Sequence, residues 1–215
     1  MILPSLEKLR SYTPFLAIFL IILAFFWKLV FTNLILARGD ILFYLYPYWD
    51  YRAQALLEGE IPLWNPYLFM GAPFLANPQT AVLYPLNWPL ALFPVYRAVK
   101  IAVLVHTLIA GIGTYCLARR AAWLTPRAST LAALLFALGG HMTAKVEQVN
   151  QLQALAWLPW LLLVANQFVI SNRSRHRFGL AFSIIFALQF LAGHTQTTFI
   201  SLTGIVLWSI MTIAS

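Results

Sequence analysis

The chain has 215 residues, of which 61% are hydrophobic and only 9% charged, and its formal net charge is +8. Soluble globular domains carry about 25% charged residues, so this composition excludes an ordinary soluble domain. The positive charge does not indicate nucleic-acid binding, because the basic residues lie in short stretches between apolar runs, where they set membrane topology. The single cysteine, Cys116, excludes an internal disulfide bond.

Six apolar runs approach the roughly 20 residues that a helix needs to cross a bilayer. They cover residues 13–36, 98–118, 128–143, 152–170, 178–192 and 195–213. The first run is longer than a signal-peptide core and no cleavage site follows it, so we expect a retained span. The fifth run is short, and Gly193-His194 predicts a break after it. We therefore predict an all-α integral membrane bundle of about six spans, with residues 1–215 forming a single transmembrane domain.

The charges between the runs predict one orientation. Basic residues precede the first run, join the second to the third, and join the fourth to the fifth: Lys8, Arg10, Arg119, Arg120, Arg127, Arg173, Arg175 and Arg177. The positive-inside rule places them, and the N-terminus, in the cytoplasm. Every acidic residue except Glu7 then lies on the outer side. Because the chain stops just after an apolar run, we expect it to be the N-terminal part of a longer protein.

The first extracytoplasmic loop, residues 37–97, is predicted to be ordered. Most prolines lie between positions 47 and 94, and they exclude long helix or sheet interiors there. Tyrosine and tryptophan are frequent in the same segment and suit the membrane interface. Before the prolines become frequent, residues 41–57 carry apolar side chains at spacings of three, four and seven. This pattern predicts a helix along the outer surface, ended by a left-handed cap at Gly59.

Asp40 directly follows the first span and is the first candidate for chemistry. An aspartate before a helix is a good N-cap, whose carboxylate accepts backbone N–H bonds. A carboxylate held at the outer mouth of a helix bundle can also act as a general base. The two roles are compatible.

Glu147 lies in the short outer loop between the third and fourth runs. It is either a solvated acid paired with Lys145, which contributes little energy, or a second carboxylate facing the same cavity as Asp40. In the second case it contacts substrate or shares a hard divalent cation with Asp40, together with water and phosphate oxygens.

Two histidines follow glycines at the outer ends of spans, His141 in Gly-Gly-His and His194 in Gly-His. A histidine at a helix end is most often a satisfied polar group. Two at matching depth, with Asn150, Gln151 and Gln196 at the same level, also fit the polar lining of a ligand cavity.

Basic residues on the outer side are candidate phosphate contacts. Lys28, inside the first span, either extends toward the headgroups or lines the cavity. Arg52, Arg97 and Lys100 are able to hold a lipid phosphate, and the pattern does not distinguish among them.

Several motifs carry a resemblance to a known family. They are residues 61–79 (IPLWNPYLFMGAPFLANPQ), 84–87 (YPLN), Gly39-Asp40, 139–141 (GGH), 156–159 (AWLP) and 192–197 (AGHTQT). The chain resembles the YfhO-type bacterial membrane proteins, which are similar to the GT-C superfamily of integral membrane glycosyltransferases. The resemblance covers residues 38–199. Its specific part is segment 61–87.

The resemblance implies an enzyme of the bacterial cytoplasmic (inner) membrane and cell envelope. It would transfer a sugar from a polyprenyl-phosphate carrier to an acceptor on the outer face. Asp40 matches the essential acid of the first outer loop, and Glu147 falls at the position of a second acidic motif. The family often has a glutamine a few residues after the first acid, where Tyr44 or its neighbours stand here. Mg²⁺ or Mn²⁺ is the implied candidate cofactor, at Asp40 and Glu147.

Two other classes of function stay open. A transporter or flippase of a lipid-linked substrate needs ionisable residues deep in several spans, and Lys28 is the clear instance. A non-catalytic membrane scaffold would bind partners through its aromatic outer segment, and it would tolerate substitution of Asp40.

Overall fold

The computed structural model describes residues 4–68, 70–170 and 174–214, with side chains from Tyr12 to Thr212 within these ranges. The fold is mostly helical, at 76%. It begins with α1 (Pro4–Phe25) and a short α2 (Trp27–Phe31). The predicted first span continued to residue 36, but Thr32 has an extended backbone (φ −124°, ψ 163°) and ends the helix.

The predicted surface helix is present. One π-helical turn (Ile41–Leu45) runs directly into α3 (Tyr46–Leu57). Pro47 lies in the first turn of α3 and has no N–H to donate to the π-helical turn that precedes it. Gly59 has φ +80° and its N–H donates to the carbonyl of Leu56 at 3.2 Å. The left-handed glycine cap is therefore confirmed.

Residues 58–94, called here the proline segment, contain only short elements among the residues described. Two strands, β1 (Trp64–Asn65) and β2 (Ala72–Pro73), pair antiparallel. Three 3₁₀ turns follow, each starting at a proline: Pro78–Thr80, Pro85–Asn87 and Pro89–Leu92. This agrees with the predicted absence of long helices and follows from the fixed φ of proline.

Seven helices follow the proline segment in the described residues: α4 (Val95–Arg120), α5 (Pro126–Leu138), α6 (Gly140–Ala144), α7 (Val149–Leu155), α8 (Leu158–Ile170), α9 (Arg175–Leu191) and α10 (Thr195–Ala214). The central helix is α4, which packs against α1, α5, α7 and α8. The predicted third span, 128–143, is not one helix, because the extended Gly139 (ψ 159°) separates α5 from α6.

Two helical stretches in the described residues are long and apolar enough to cross a membrane, judged by length and composition. They are Val95–Arg120 and Val149–Ile170, the second including α7 and α8. A shorter apolar helix covers Tyr12–Phe25. The full six-span arrangement stays a prediction.

A buried hydrogen-bond chain attaches the proline segment to the helices. His106 Nδ1 lies 2.7 Å from the carbonyl of Ala102, which can only accept, so Nδ1 carries the proton. Its Nε2 therefore accepts the hydroxyl of Tyr84 at 2.7 Å. Trp157 Nε1–H donates to the same hydroxyl oxygen at 2.9 Å. The chain links the proline segment, α4 and the turn before α8, and it gives His106 a structural role.

Candidate functional site

A cleft with about 470 Å³ of empty space, partly open to solvent, lies where the proline segment meets the start of α7 and the turn before α10. Its lining, called here the Asp40 cleft, consists of Asp40, Tyr44, Leu45, Gln79, Glu147, Gln148, Val149, Asn150, Gln151 and His194. Five of the candidate residues, from distant parts of the chain, therefore meet: Asp40, Glu147, Asn150, Gln151 and His194.

Asp40 does not act as the predicted N-cap. Its own backbone is helical (φ −62°, ψ −21°), and its side chain makes no capping hydrogen bond. The turn begins earlier, because the N–H of Ile41 donates to the carbonyl of Arg38 and Gly39 has φ +53°. An N-cap requires a non-helical backbone for its carboxylate to reach the next turn. The carboxylate instead lines the cleft and is exposed.

Glu147 pairs with a residue that the sequence analysis did not select. Its Oε1 lies 3.1 Å from Nη1 of Arg38, and the two side chains are 45% and 85% exposed. The predicted partner, Lys145, instead donates from Nζ to Gln148 Oε1 at 3.1 Å. The pair brings a guanidinium against a carboxylate that lines the cleft, although Arg38 is not itself a lining residue. The one sequence feature that could have identified Arg38 is its position two residues before Asp40.

Asn150 links three segments that surround the cleft. Its Nδ2 donates to the carbonyl of Gln79 at 2.8 Å and to the carbonyl of Ala192 at 3.0 Å. These bonds join α7 to the proline segment and to the turn before α10. Both Nδ2 hydrogens are used, so Oδ1 is the part of this side chain that can contact a ligand.

His194 has a defined tautomer. Its Nδ1 accepts the backbone N–H of Thr197 at 3.2 Å and lies 2.7 Å from the hydroxyl of the same residue. Because Nδ1 accepts an N–H, the proton of the neutral ring is on Nε2. Burial, and then the nearby charge of Lys145, lower the pKa of His194. The ring is therefore neutral at pH 7, with Nε2–H as a donor.

Tyr44 is a second cleft residue outside the candidate set. Its hydroxyl accepts Nδ2–H of Asn77 at 2.8 Å, and its ring stacks on Tyr48 with centroids 4.1 Å apart. Burial raises the pKa of Tyr44, so the phenol stays protonated near neutral pH. The sequence feature that could have identified Tyr44 is its position one helical turn after Asp40. Gln79 and Gln148 were missed as lining residues too.

His141 lies in a neighbouring groove rather than in the cleft. This groove, called here the α8–α10 groove, has about 870 Å³ of space including open solvent. It is lined by His141, Gln151, Leu155, Leu158, Leu162, Thr197, Ile200, Ser201, Gly204 and Ile205. Gln151 lines both cavities, so a mostly apolar groove adjoins the polar cleft.

Gln196 and Lys28 are also not among the residues that line the cleft. Gln196 is exposed on α10, and it lines neither the cleft nor the α8–α10 groove. Lys28 is exposed on α2, with Nζ 5.8 Å from the ring centroid of Trp27. The exposed position agrees with extension away from the bundle rather than with cavity lining.

The interpretation of Arg52 as a phosphate contact is wrong. The side chain is 2% exposed, and Nη1 donates to the carbonyl of Thr80 at 2.8 Å. Its guanidinium lies over the ring of Trp49, 4.3 Å from the centroid. Burial lowers the pKa of Arg52 to about 9, so it is still charged at pH 7. Arg52 therefore fastens α3 to the proline segment.

The cleft offers limited metal ligation. No group of three or more His, Cys, Asp or Glu side chains in the described part of the chain is placed to hold a metal ion. Asp40 and Glu147 line the same cleft, and a hard cation between them would need water or phosphate oxygens as further ligands.

Chemically, the cleft combines an exposed carboxylate, a guanidinium–carboxylate pair, a neutral imidazole and several amides. Such a set can accept a proton from a ligand, hold a hydroxyl-rich ligand by hydrogen bonds and offset negative charge. Comparisons of the chain with protein-family models, with curated proteins and with solved structures gave no match.

Proposed function

We propose that this chain carries the site of a GT-C-like membrane glycosyltransferase of the YfhO type. It would transfer a sugar from a polyprenyl-phosphate carrier to an acceptor hydroxyl on the outer face of the membrane. The observation that carries the proposal is the Asp40 cleft, in which Asp40 and Glu147 meet beside an apolar groove while Glu147 is paired with Arg38.

The membrane location is part of the proposal. Six spans, with a cytoplasmic N-terminus in the bacterial inner membrane, put the cleft on the outer side. The two long apolar stretches support it. Large apolar side chains on helix surfaces also support a membrane location. Eight of these side chains are 42–73% exposed: Leu20, Ile21, Phe25, Phe31, Ile184, Phe199, Ile200 and Met211. An apolar surface of this kind is favourable against lipid and costly in water.

Asp40 would act as the general base. It accepts the proton of the acceptor hydroxyl while the hydroxyl oxygen bonds to the anomeric carbon of the sugar. The bond from that carbon to the carrier phosphate breaks, and its electron pair stays on the phosphate oxygen. A positioned base of this kind contributes about 10²- to 10⁴-fold in rate.

Other groups of the cleft would stabilise the reacting charges. Arg38, the partner of Glu147, offsets the charge that develops on the departing phosphate. His194 donates Nε2–H to a sugar or phosphate oxygen, because its Nδ1 accepts the N–H of Thr197 and the ring proton is therefore on Nε2. A bound Mg²⁺ or Mn²⁺ held by Asp40 and Glu147 would add positive charge at the phosphate.

The α8–α10 groove fits the apolar part of such a donor. Half of its lining residues are leucine or isoleucine, and it meets the cleft at Gln151. An isoprenoid chain in the groove would place its phosphate at the polar junction. His141, also in the groove lining, then lies along the path of the carrier rather than at the reacting carbon.

The test is transfer of radiolabelled sugar from a polyprenyl-phosphate donor by membranes that contain the protein. We expect Asp40→Asn to lower the transfer rate by about 10²-fold or more, with normal expression. Asp50→Asn is the matched control, because Asp50 accepts a hydrogen bond from Gln54 at 2.9 Å and does not line the cleft. Full activity of Asp40→Asn would overturn the assignment of the base. Uptake of the substrate without transfer would instead favour a transporter.

A further inference from the structure

A third cavity lies between the end of α2 and the first turns of α4. This α2–α4 groove has about 850 Å³ of space including open solvent, and it shares no lining residue with the Asp40 cleft. Its lining is Leu29, Val30, Thr32, Asn33, Phe93, Tyr96, Arg97, Lys100, Ile101 and Leu104. Neither the proposed transfer reaction nor its lipid path uses this groove.

One end of the groove is positively charged. Lys100 is only 8% exposed, and its Nζ donates to the carbonyl of Thr32 at 3.0 Å, which leaves two of its three N–H groups for another acceptor. Arg97, exposed, lies one turn before it on α4. No Asp or Glu of the described residues lines the groove, so no carboxylate in the lining neutralises its two cations.

The other end of the groove is apolar. Leu29, on α2, lies three residues before Thr32, which follows that helix, and Leu104 lies one turn after Lys100 on α4. The hydrogen bond from Lys100 Nζ to the carbonyl of Thr32 joins α4 to the end of α2 at the charged end of the groove. The apolar lining residues of both helices therefore lie toward the opposite end. The groove therefore changes from two cations to hydrocarbon along its length, and a molecule with a charged head and an apolar tail has the complementary shape and charge.

We propose that the α2–α4 groove binds one anionic phospholipid of the surrounding bilayer. Arg97 and Lys100 donate charge-assisted hydrogen bonds to its phosphate, and an acyl chain lies along Leu29, Ile101 and Leu104. The inference depends on the membrane location proposed above, but it does not depend on sugar transfer.

The test is native mass spectrometry of the detergent-purified chain, titrated with phosphatidylglycerol or with phosphatidylcholine of the same acyl chains. We expect one phosphatidylglycerol to bind at least about tenfold more tightly than phosphatidylcholine, because only the first has a net negative headgroup. Arg97→Ala should lower that affinity about tenfold, and Arg127→Ala, which removes an exposed arginine outside the groove, should leave it unchanged.

Lys100→Met keeps the length of the buried stem and removes the charge, so it should also lower the affinity. If this variant does not fold, the exposed Arg97 decides the question alone. Equal binding of the two lipids, or unchanged affinity in Arg97→Ala, would overturn the proposal. Displacement of the lipid by millimolar inorganic phosphate would also overturn it, since a site for a free anion has no need of the apolar end. Asp40→Asn should bind phosphatidylglycerol normally, which separates this site from the transfer reaction.

Discussion

Nη1 of Arg38 lies 3.1 Å from Oε1 of Glu147. A residue two positions before Asp40, the first candidate acid, is therefore paired with Glu147, the second. The pair joins the segment after α2 to the turn before α7. Both side chains are largely exposed, and exposed ion pairs contribute about 0–1 kcal/mol to stability. The pair is therefore expected to contribute little to the stability of the fold.

The first prediction concerns the Arg38–Glu147 pair. In a double-mutant cycle of Arg38→Ala and Glu147→Gln, thermal unfolding in detergent should give a coupling free energy below about 1 kcal/mol. In the transfer assay, Arg38→Ala should lower kcat by about tenfold or more, because a positive charge is lost where the phosphate departs. Arg120→Ala, at the far end of α4, is the control. A large coupling in stability with unchanged kcat would make the pair purely structural.

The second prediction concerns the pKa of His194. Burial and the charge of Lys145 both lower it, so Lys145→Gln should raise it toward the ordinary value of about 6.5. NMR titration of isotope-labelled histidine can measure this, with His194→Gln to assign the signal. Lys28→Gln should leave the pKa unchanged. A fall in the pKa on loss of Lys145 would show that the charge is not acting on the ring.

The same shift gives a pH dependence of stability. Because the folded pKa of His194 is below the unfolded value of about 6.5, the unfolded state binds more protons as pH falls below that value. This residue should therefore make the fold less stable as pH falls from about 6.5 through its folded pKa. Lys145→Gln should reduce that acid sensitivity, as measured by unfolding temperature against pH.

Periodicity and glycine placement predicted most of the local structure. The helix over residues 41–57, the cap at Gly59 and the break at Gly193 all depend on local backbone preferences, and the structure confirms them. The ends of apolar runs were predicted less well. Thr32 and Gly139 end helices inside predicted spans, because hydropathy does not report where the backbone becomes extended.

The cleft was predicted in part, and its partners were not. Asp40, Glu147 and His194 were selected for charge and position, and they do line one cavity. The pairing of Glu147 with Arg38, and the burial of Arg52 under the proline segment, are contacts between residues far apart in the chain. Sequence spacing carries no information on such contacts, since they depend on how the proline segment folds back on the helices.

The third prediction concerns the buried hydroxyl of Tyr84. Tyr84→Phe removes the group that donates to His106 and accepts from Trp157, so two polar atoms lose their partner. We expect a loss of about 2 kcal/mol in the free energy of unfolding. Tyr67→Phe is the control, because Tyr67 is 81% exposed and should change stability by less than about 0.5 kcal/mol. Equal stability of Tyr84→Phe and wild type would show that the chain of hydrogen bonds adds nothing.

The fourth prediction uses two glycines as a matched pair. Gly193 has φ +88°, and a Cβ added there would lie 2.2 Å from the carbonyl oxygen of Pro78 and 2.8 Å from Nδ2 of Asn150. Gly193→Ala should therefore cost about 3 kcal/mol or more in stability and should distort the cleft around His194. A Cβ at Gly204 meets nothing within 4 Å, and this glycine is inside α10. Gly204→Ala should accordingly stabilise by about 0.5–1 kcal/mol. Thermal unfolding of both variants measures the difference, and similar unfolding temperatures would contradict the close packing of the turn before α10 against the proline segment.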